Sequence, residues 1–326
     1  MPELRHDAIS GRSVIVAIER AARPFVFPTA PASGTEPDDC PFCAGREEMT
    51  PPEVQRTGDG AAGTEGWRVR VVPNLYPIVG GAEPHDPTGA KAFGVAHGAT
   101  PIGGAHEVIV LSPGHEASFA SLDDAAAVEV LTVIRERVRV HLDAGHAYVQ
   151  AFINHGKAAG ASIAHPHAQV VALDLVPGAV DAAIDRLATT DLVARELTDA
   201  RRDDLVVVDG PAPAWSPFAA WVPYGLRVAH RSTRARVEDA TDAEIRVVAL
   251  GLRDALRRLR AALGDVPYNL VIRTAPPGRP AGEFHWHVDV LPRTTLVAGF
   301  EEGTGILVNV VPPELAAVRL RDAVPS

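Results

Sequence analysis

Near its middle the chain reads Gly160-Ala-Ser-Ile-Ala-His165-Pro-His167-Ala-Gln169. Alternate residues of an extended strand point to the same face, so His165, His167 and Gln169 are predicted to share one face. Pro166 fixes its own φ angle and removes a hydrogen-bond donor, which stiffens the backbone between the two histidines. A lone His-x-His is weak evidence for a functional site. The preceding Gly-x-Ser and the following Gln favour a site in which a histidine takes part in the chemistry.

Strand signals surround this stretch. The runs Tyr148–Asn154 and Gln169–Leu173 are apolar and rich in β-branched residues, which predicts two strands. Upstream, Trp67–Val72 and Glu107–Leu111 predict two more. Residues 25–66 are rich in proline, glycine and acidic side chains and are predicted to be loop.

The same order of elements recurs in the second half. Ser121, with Asp124 at the capping-box position, is predicted to cap a helix to about residue 142, and Thr241 one to about residue 263. The strands predicted around the second helix are Leu226–His230, Tyr268–Arg273 and the segment from His285 to Leu291. Three pairs of positions lie 120 residues apart: Val108 and Val228, Ser121 and Thr241, and His165 and His285. Equal spacings in one order indicate an internal duplication rather than two unrelated segments.

The predicted fold class is therefore α+β, with two tandem units that each consist of an antiparallel sheet and packed helices. The boundary is placed within residues 190–215, because Arg195–Asp204 is strongly charged and residues 211–214 resemble a linker. This divides the chain into an N-terminal domain, residues 1–195, and a C-terminal domain, residues 196–326.

Composition excludes some classes of function. The formal net charge is −10, whereas a general nucleic-acid binder needs a basic surface. A small phosphorylated ligand is still compatible, since a few arginines in one cleft suffice. No apolar run reaches the roughly 18 residues of a membrane span, and the first residues contain no hydrophobic signal region, so a cytoplasmic protein is expected.

The two cysteines of the chain, Cys40 and Cys43, form a Cys-Pro-Phe-Cys motif. In a chain without an export signal, two cysteines this close indicate metal or redox chemistry more than a disulfide framework.

A series of motifs follows along the chain: Glu19-Arg20-Ala-Ala-Arg23-Pro, Cys40-Pro-Phe-Cys43, Val72-Pro-Asn74-Leu-Tyr76-Pro, His106-Glu-Val108-Ile-Val, Ser112-Pro-Gly-His115, Asn154 to Gln169, Phe284-His-Trp-His287, and Gly299-Phe300-Glu301 to Asn309. In this order, over most of the chain, they resemble galactose-1-phosphate uridylyltransferase and its nucleotidyltransferase relatives in the histidine-triad superfamily. The resemblance implies two histidine-triad-like units and a homodimer.

By this resemblance His167 is the nucleophile that attacks an α-phosphorus and carries the nucleotide as a phosphohistidine. A neutral imidazole is a competent nucleophile near pH 7. Its other ring nitrogen is expected to donate to a backbone carbonyl, which the family implies is that of His165. Gln169 stands where histidine-triad hydrolases have a third histidine. An amide can hold a phosphate oxygen but does not readily activate water, which favours a transferase.

The resemblance also implies that Cys40, Cys43, His115 and His165 bind zinc. Two thiolates and two imidazoles form a closed tetrahedral set, which is typical of a structural Zn²⁺ site. Such a metal would tie the N-terminal segment to the strand that carries His167 and would order the nucleophile indirectly.

Substrate contacts follow from the resemblance residue by residue. The guanidinium groups of Arg20 and Arg23 suit phosphate oxygens, and the alternative is a solvated surface pair. The other implied substrate-binding residues are Asn74 and Tyr76 for base and ribose, Asn154 and Ser162 for the phosphates with Gln169, Val108 without a more specific role, and Phe300, Glu301 and Asn309 for the hexose across the dimer interface. Lys157 is either an extra phosphate contact or merely exposed.

Two departures concern the second half. His285 and His287 match a pair that binds a second metal in some relatives, but Arg273 stands where a third histidine would be. No glutamate is evident in register after His167, so the two histidines are expected to be structural, without a second metal. Asp289 replaces Gln169 in the repeat, so the second copy is expected not to be catalytic.

The expected reaction is a ping-pong transfer. A nucleoside diphosphate-sugar gives its nucleotide to His167 and releases sugar 1-phosphate, and a second phosphorylated acceptor then takes the nucleotide. The first interpretation is a UDP-glucose–hexose-1-phosphate uridylyltransferase. Thr295 stands where the galactose enzyme has a basic residue, which favours an ADP-glucose phosphorylase as the alternative. A histidine-triad hydrolase and a non-catalytic nucleotide-binding zinc module are the other rivals.

Overall fold

The structure is a computed structural model that describes residues 2–19, 39–80, 91–92, 98–99, 102–115, 118–187, 190–278 and 284–324. Its strands are β1 (Glu3–His6), β2 (Ser13–Val16), β3 (Gln55–Gly58), β4 (Trp67–Pro73), β5 (Lys91–Ala92), β6 (Gly98–Ala99), β7 (Gly104–Val110), β8 (Tyr148–His155), β9 (His167–Leu173), β10 (Val206–Val208), β11 (Ala214–Trp215), β12 (Leu226–Val228), β13 (Tyr268–Arg273), β14 (His287–Pro292) and β15 (Leu307–Asn309). Its helices are α1 (Asp124–Asp143), α2 (Gly178–Leu187), α3 (Leu192–Arg202), α4 (Asp242–Leu263), α5 (Gly299–Thr304) and α6 (Pro313–Asp322).

Ten strands form one sheet in the order β10-β11-β12-β14-β13-β8-β9-β7-β4-β3. All its neighbouring strands are antiparallel, as predicted for an α+β fold. The first five strands in this order come from the second half of the chain. The last five are their counterparts from the first half, in the reverse order. The two sets meet where β8 pairs with β13, with Asn154 opposite Asn269. This arrangement fits the predicted duplication, since two copies related by a pseudo-two-fold axis would pair through equivalent strands.

The two faces of the sheet have different roles. The long helices α1 and α4 pack against each other and on one face, whose residues include Ala168 and Val170 of β9. Successive side chains of a strand alternate between faces, so His167 and Gln169 lie on the opposite face. A buried ion pair, Glu107 Oε1 to Arg137 Nη2 at 2.6 Å, joins β7 to α1. The helices therefore hold the sheet, and the opposite face is left for the functional residues.

The sheet register corrects one of the three predicted spacings. Val108 lies opposite Gln169 in β7 and β9, and Arg227 lies opposite Asp289 in β12 and β14. Gln169 and Asp289 are equivalent by the 120-residue spacing, so Val108 corresponds to Arg227 and the predicted match with Val228 is wrong by one residue. A shift of one residue exchanges the faces, so this correction places Arg227 on the functional face.

The helix caps correct a second spacing. Asp123, not Ser121, caps α1, because its side chain accepts a hydrogen bond from Ala126 N at 2.8 Å. Ser121 ends a short 3-10 turn and accepts from Ser118 N instead. Thr241 caps α4 with Glu244 in a capping box, as predicted. The two helices thus begin at positions that are 118 residues apart, Asp124 and Asp242.

Two other expectations need correction. Residues 25–66, predicted to be loop, include the edge strand β3, which pairs with β4. The segment 211–214 is no exposed linker, because Ala212 and Ala214 are buried and Ala214 belongs to β11. The division at residue 195 stays a prediction, and α3 runs across that point.

The N-terminal hairpin of β1 and β2 forms a second sheet with β15 from near the C-terminus. It lies against the second half, since Arg5 Nη1 donates to Phe218 O at 2.9 Å. Among the described residues, no helix combines the length and the apolar character that crossing a membrane requires.

Candidate active site and metal cluster

His167 is the first residue of β9, and its side chain is 5% exposed. Its Nδ1 lies 2.8 Å from the carbonyl oxygen of His165. A carbonyl oxygen can only accept, so Nδ1 carries the hydrogen and donates. Burial lowers the pKa of His167. The neutral ring therefore keeps its lone pair on Nε2. The contact between Nδ1 and the His165 carbonyl confirms the hydrogen bond expected from the sequence.

The chain reaches His167 through a tight turn after β8. Gly156 and Gly160 have φ angles of 78° and 91°, in the region that favours glycine. A Cβ on Gly156 would also lie 3.0 Å from the ring of Pro267. The strand begins at His167, so His165 precedes it and does not share its face as part of one strand, contrary to the prediction. His165 instead turns its ring to the cysteines.

Cys40, Cys43, His115 and His165 lie together, with ligand atoms all within 4.8 Å of one another. Cys43 Sγ is 3.4 Å from His115 Nδ1 and 3.6 Å from His165 Nδ1. His165 Nε2 donates to Ser112 O at 2.7 Å, which leaves the Nδ1 lone pair for the cluster. Burial lowers the pKa of His165 to about 4, so this imidazole is neutral. The sequence-predicted ligands thus form one cluster that can hold a metal ion.

Phe42 connects this cluster to His167. Its ring lies edge-on to His167 at 5.4 Å between centroids and to His165 at 6.2 Å. It is buried in a small core with Cys40, Val72 and Val108. The motif Cys-Pro-Phe-Cys therefore contributes a packing contact to His167 in addition to two sulfur atoms, and sequence reasoning missed this role.

Gln169 follows His167 on the same face, and its side chain is held by His106. His106 Nε2 lies 2.9 Å from Gln169 Oε1, and Asn74 Nδ2 lies 3.1 Å from the same nitrogen. The backbone N–H of Ile78 donates to His106 Nδ1 at 3.3 Å, and that of Tyr76 donates to Asn74 Oδ1 at 2.9 Å. The structure therefore connects Asn74 to Gln169 through a histidine that the sequence analysis did not single out, and only the backbone of Tyr76 takes part.

Asn154 lies at the centre of the sheet. Its Oδ1 accepts from Asn269 Nδ2 at 2.7 Å, and Asn269 Nδ2 also donates to Ala159 O at 2.7 Å. Arg293 donates through Nε to Asn269 Oδ1. Burial lowers the pKa of Arg293. A guanidinium group of the second half is thus connected to the predicted phosphate-lining residue of the first half, and nothing in the sequence pattern indicated it.

Most of the other predicted substrate residues are not brought together with Gln169. Val108 is buried opposite Gln169, whereas Ser162, Lys157 and the 83% exposed Tyr76 face outward. Arg20 and Arg23 lie outside the described residues.

One correction concerns the segment that is predicted to bind the hexose. Phe300 is 48% exposed on α5, and Glu301 accepts a hydrogen bond from Ala298 N at the start of this helix. Asn309 is fully buried, and its amide is used inside the protein, with Nδ2 2.7 Å from Ala220 O and Oδ1 2.9 Å from Val311 N. Its role is therefore to hold β15 in place, rather than the predicted contact with sugar.

The second half repeats the hydrogen-bond geometry of His167 at a more deeply buried position. His287 Nδ1 lies 2.8 Å from His285 O, as in the first half. However, His287 is 1% exposed, and burial lowers its pKa to about 4. Asp289, in the place of Gln169, is bound by Arg227 Nε at 3.1 Å and Arg273 Nε at 2.9 Å. Burial alone would raise the pKa of Asp289, but the two guanidinium groups lower it.

Arg227 is itself surrounded by carboxylates. It is 1% exposed and pairs with Asp7 of the N-terminal hairpin at 3.5 Å and with Glu196 of α3, besides Asp289. His285 Nδ1 lies 3.2 Å from Asp191 Oδ2. Sequence reasoning found no acidic partner for His285, because Asp191 is distant in sequence.

The duplicated antiparallel sheet and the buried His167, with Gln169 next on the same face, fit a nucleotidyltransferase. Family models agree: residues 1–177 match "Galactose-1-phosphate uridyl transferase, N-terminal domain", and residues 96–325 match a domain of unknown function, DUF4921. The chain belongs to the galactose-1-phosphate uridylyltransferase family.

Individual relatives cover the whole chain. ADP-glucose phosphorylase of Arabidopsis thaliana is 30% identical over 98% of this chain and 93% of its own length. Its crystal structure with bound ADP-glucose superposes with a TM-score of 0.83 at 28% identity, covering 99% and 100% of the two chains. Galactose-1-phosphate uridylyltransferase of Thermotoga maritima is 24% identical over 99% of this chain and 98% of its own.

Proposed function

We propose that this protein transfers a nucleoside monophosphate from a nucleoside diphosphate-sugar to a phosphorylated acceptor through a covalent intermediate on His167. The observation that carries the proposal is the hydrogen bond from His167 Nδ1 to His165 O, since it fixes the tautomer that leaves Nε2 free. The buried ring is already neutral, so no proton has to leave before the attack.

In the first step the Nε2 lone pair attacks the α-phosphorus and forms a P–N bond. The bond from this phosphorus to the bridging oxygen breaks, and sugar 1-phosphate leaves with the electron pair. In the second step an acceptor phosphate oxygen attacks the same phosphorus, and the P–N bond breaks. The imidazole thereby regains its lone pair, and each step exchanges one bond for another.

Gln169 supports transfer rather than hydrolysis. Its amide lies beside the nucleophile, where an N–H group can stabilise charge on the phosphoryl oxygens. A carboxamide has no basic site at neutral pH with which to deprotonate water. We therefore infer that the phosphorylated acceptor, rather than water, resolves the intermediate.

The metal cluster is proposed to be a structural zinc site. Zinc bound to sulfur at 2.3 Å and to nitrogen at 2.0–2.1 Å in a tetrahedron places sulfur and nitrogen about 3.6 Å apart. The distances from Cys43 Sγ to the two histidine nitrogens, 3.4 and 3.6 Å, fit this geometry. Four protein ligands leave no open position for water, so a bound ion would supply stability and hold the backbone before His167.

We propose an ADP-sugar as the donor. The identity to ADP-glucose phosphorylase is 30%, against 24% to the Thermotoga maritima uridylyltransferase. Thr295 also provides no charge where the galactose enzyme has a basic residue. A UDP-sugar is the second candidate, supported by the match of residues 1–177 to the uridyl transferase model.

A homodimer is part of this proposal. Large apolar side chains are exposed next to the substrate-binding segments, notably Ile78 at 70% and Leu296 at 75%. Covering them with a second copy would remove this apolar surface from water. The dimer would also bring Glu301 of α5 close to the site of the partner subunit, as the family resemblance implies.

Mass spectrometry after incubation with ADP-glucose or UDP-glucose, without acceptor, tests the proposed function. One AMP per chain is expected with ADP-glucose, and the adduct should disappear when inorganic phosphate is added. A UMP adduct alone would select the uridylyl candidate. Free nucleotide release without any adduct would exclude covalent transfer.

A further inference from the structure

The side chain of His106 contacts the side-chain amide of Gln169. It lies on β7, two residues from Val108, the residue opposite Gln169, and its side chain is 7% exposed. The contact between His106 Nε2 and Gln169 Oε1, at 2.9 Å, involves the one side chain that distinguishes the expected transferase from a hydrolase.

The hydrogen-bond partners fix the direction of this contact. The backbone amide of Ile78 can only donate, so His106 Nδ1, 3.3 Å away, is the acceptor. Burial lowers the pKa of His106, so the ring is neutral and carries its single hydrogen on Nε2. Nε2 then donates to Gln169 Oε1, and the NH2 group of Gln169 is turned away from the ring.

The opposite tautomer satisfies fewer partners. It would place a hydrogen on Nδ1 against the N–H of Ile78. It would also require the NH2 groups of Gln169 and Asn74 to share a single lone pair on Nε2. In the favoured tautomer Asn74 Nδ2, 3.1 Å from Nε2, does not donate to the ring, while its Oδ1 accepts from Tyr76 N.

We propose that His106 is a positioning residue that fixes the amide orientation of Gln169, so that its NH2 group donates to the phosphoryl oxygens during transfer. The inference rests on the proposed function. The oxygens of a phosphoryl group only accept hydrogen bonds, so a flipped glutamine would present its carbonyl oxygen and repel them. A side-chain amide has no strong preference between the two orientations by itself, and His106 supplies it.

Two substitutions separate the contacts of His106. His106→Asn keeps an amide oxygen near the position of Nδ1 for Ile78, but it has no group at the position of Nε2. His106→Gln can place an NH2 group near the position of Nε2 and keeps the donor to Gln169. If His106 has only a structural role, both substitutions should slow labelling. If it positions Gln169, only His106→Asn should slow labelling strongly.

The experiment is a double-mutant cycle on the rate of adduct formation at saturating ADP-glucose, or at saturating UDP-glucose if that donor labels the parent. His106→Asn is expected to slow labelling at least ~10-fold with little change in donor affinity, since loss of a preorganised donor costs on the order of 10²–10³ in rate. His106→Gln should recover most of the rate. In the Gln169→Ala background His106→Asn should have almost no further effect.

Several results would overturn the inference. One is an equal rate loss from His106→Asn with and without Gln169. Another is an effect confined to donor affinity, with an unchanged rate at saturation. If His106→Asn fails to fold, His106→Gln labelling as slowly as Gln169→Ala has the same meaning. An absence of adduct in the parent protein would instead reject the proposed function, and this inference with it.

Discussion

Glu238 is a buried carboxyl group that is expected to make the free energy of unfolding depend on pH. Its side chain is 7% exposed, and its Oε2 makes no hydrogen bond within the described residues. Burial raises the pKa of Glu238 to about 7. An unfolded glutamate has a pKa near 4.3, so the folded protein holds this proton over a pH range in which the unfolded chain has released it.

The sign of the effect follows from this difference. The folded state binds more protons than the unfolded state between about pH 4.5 and pH 7, so stability falls as the pH rises through this window. One pKa unit corresponds to about 1.4 kcal/mol, which gives a loss of about 3 kcal/mol between pH 4.5 and pH 8. Glu238→Gln cannot ionise and avoids this loss.

Urea unfolding of the parent and of Glu238→Gln at pH 4.5 and pH 8 measures the effect. The glutamine variant is expected to gain about 3 kcal/mol over the parent on going from pH 4.5 to pH 8. Glu302→Gln, at an exposed position of α5, is the matched control and should show no such gain. A difference between parent and Glu238→Gln that is the same at both pH values would refute the reasoning.

Three further predictions concern the metal cluster, the sugar and the second half. Cys43→Ser should lower the melting temperature and the zinc content together, and a zinc-free variant as stable as the parent would contradict a structural metal. Glu301→Gln should slow return of the nucleotide from His167 to sugar 1-phosphate, by about 1–3 kcal/mol in barrier, more than its transfer to inorganic phosphate; equal effects on both acceptors would argue against a sugar contact. Arg227→Met should cost about 3–5 kcal/mol in urea unfolding, because it removes the cation that pairs with Asp7 and Glu196 and leaves Asp289 with Arg273 alone, and a loss below about 1 kcal/mol would show that these carboxylates do not depend on it.

The parts of the fold that depend on local pattern could be predicted. Tyr268–Arg273 is strand β13 with the predicted bounds, and Thr241 caps α4 through a capping box with Glu244. The prediction at Ser121 was wrong because Asp123, two residues later, is an equally good cap residue and is the one that caps α1. Serine and aspartate are near-equal cap residues, so composition alone does not decide between them.

The part of the candidate site that consists of motif residues could be predicted. The cysteines and histidines of the metal cluster come from three separate motifs, and the family resemblance joined them before the structure did. His106, Asn269 and Arg293 were not predicted because their roles depend on pairing between distant strands. Asn309 was misassigned for the same reason, since its burial against Ala220 depends on how β15 packs.

The most direct test of the account is the position of the nucleotidyl group. After labelling with ADP-glucose in the absence of acceptor, or with UDP-glucose if that is the donor, peptide mapping at neutral or alkaline pH should locate one nucleoside monophosphate on His167. His167→Asn should abolish labelling while donor binding is nearly unchanged. His287→Asn, which removes the equivalent histidine of the second half, should label like the parent. An adduct on His287 or on any other residue, or labelling that persists in His167→Asn, would contradict the central claim that His167 is the nucleophile.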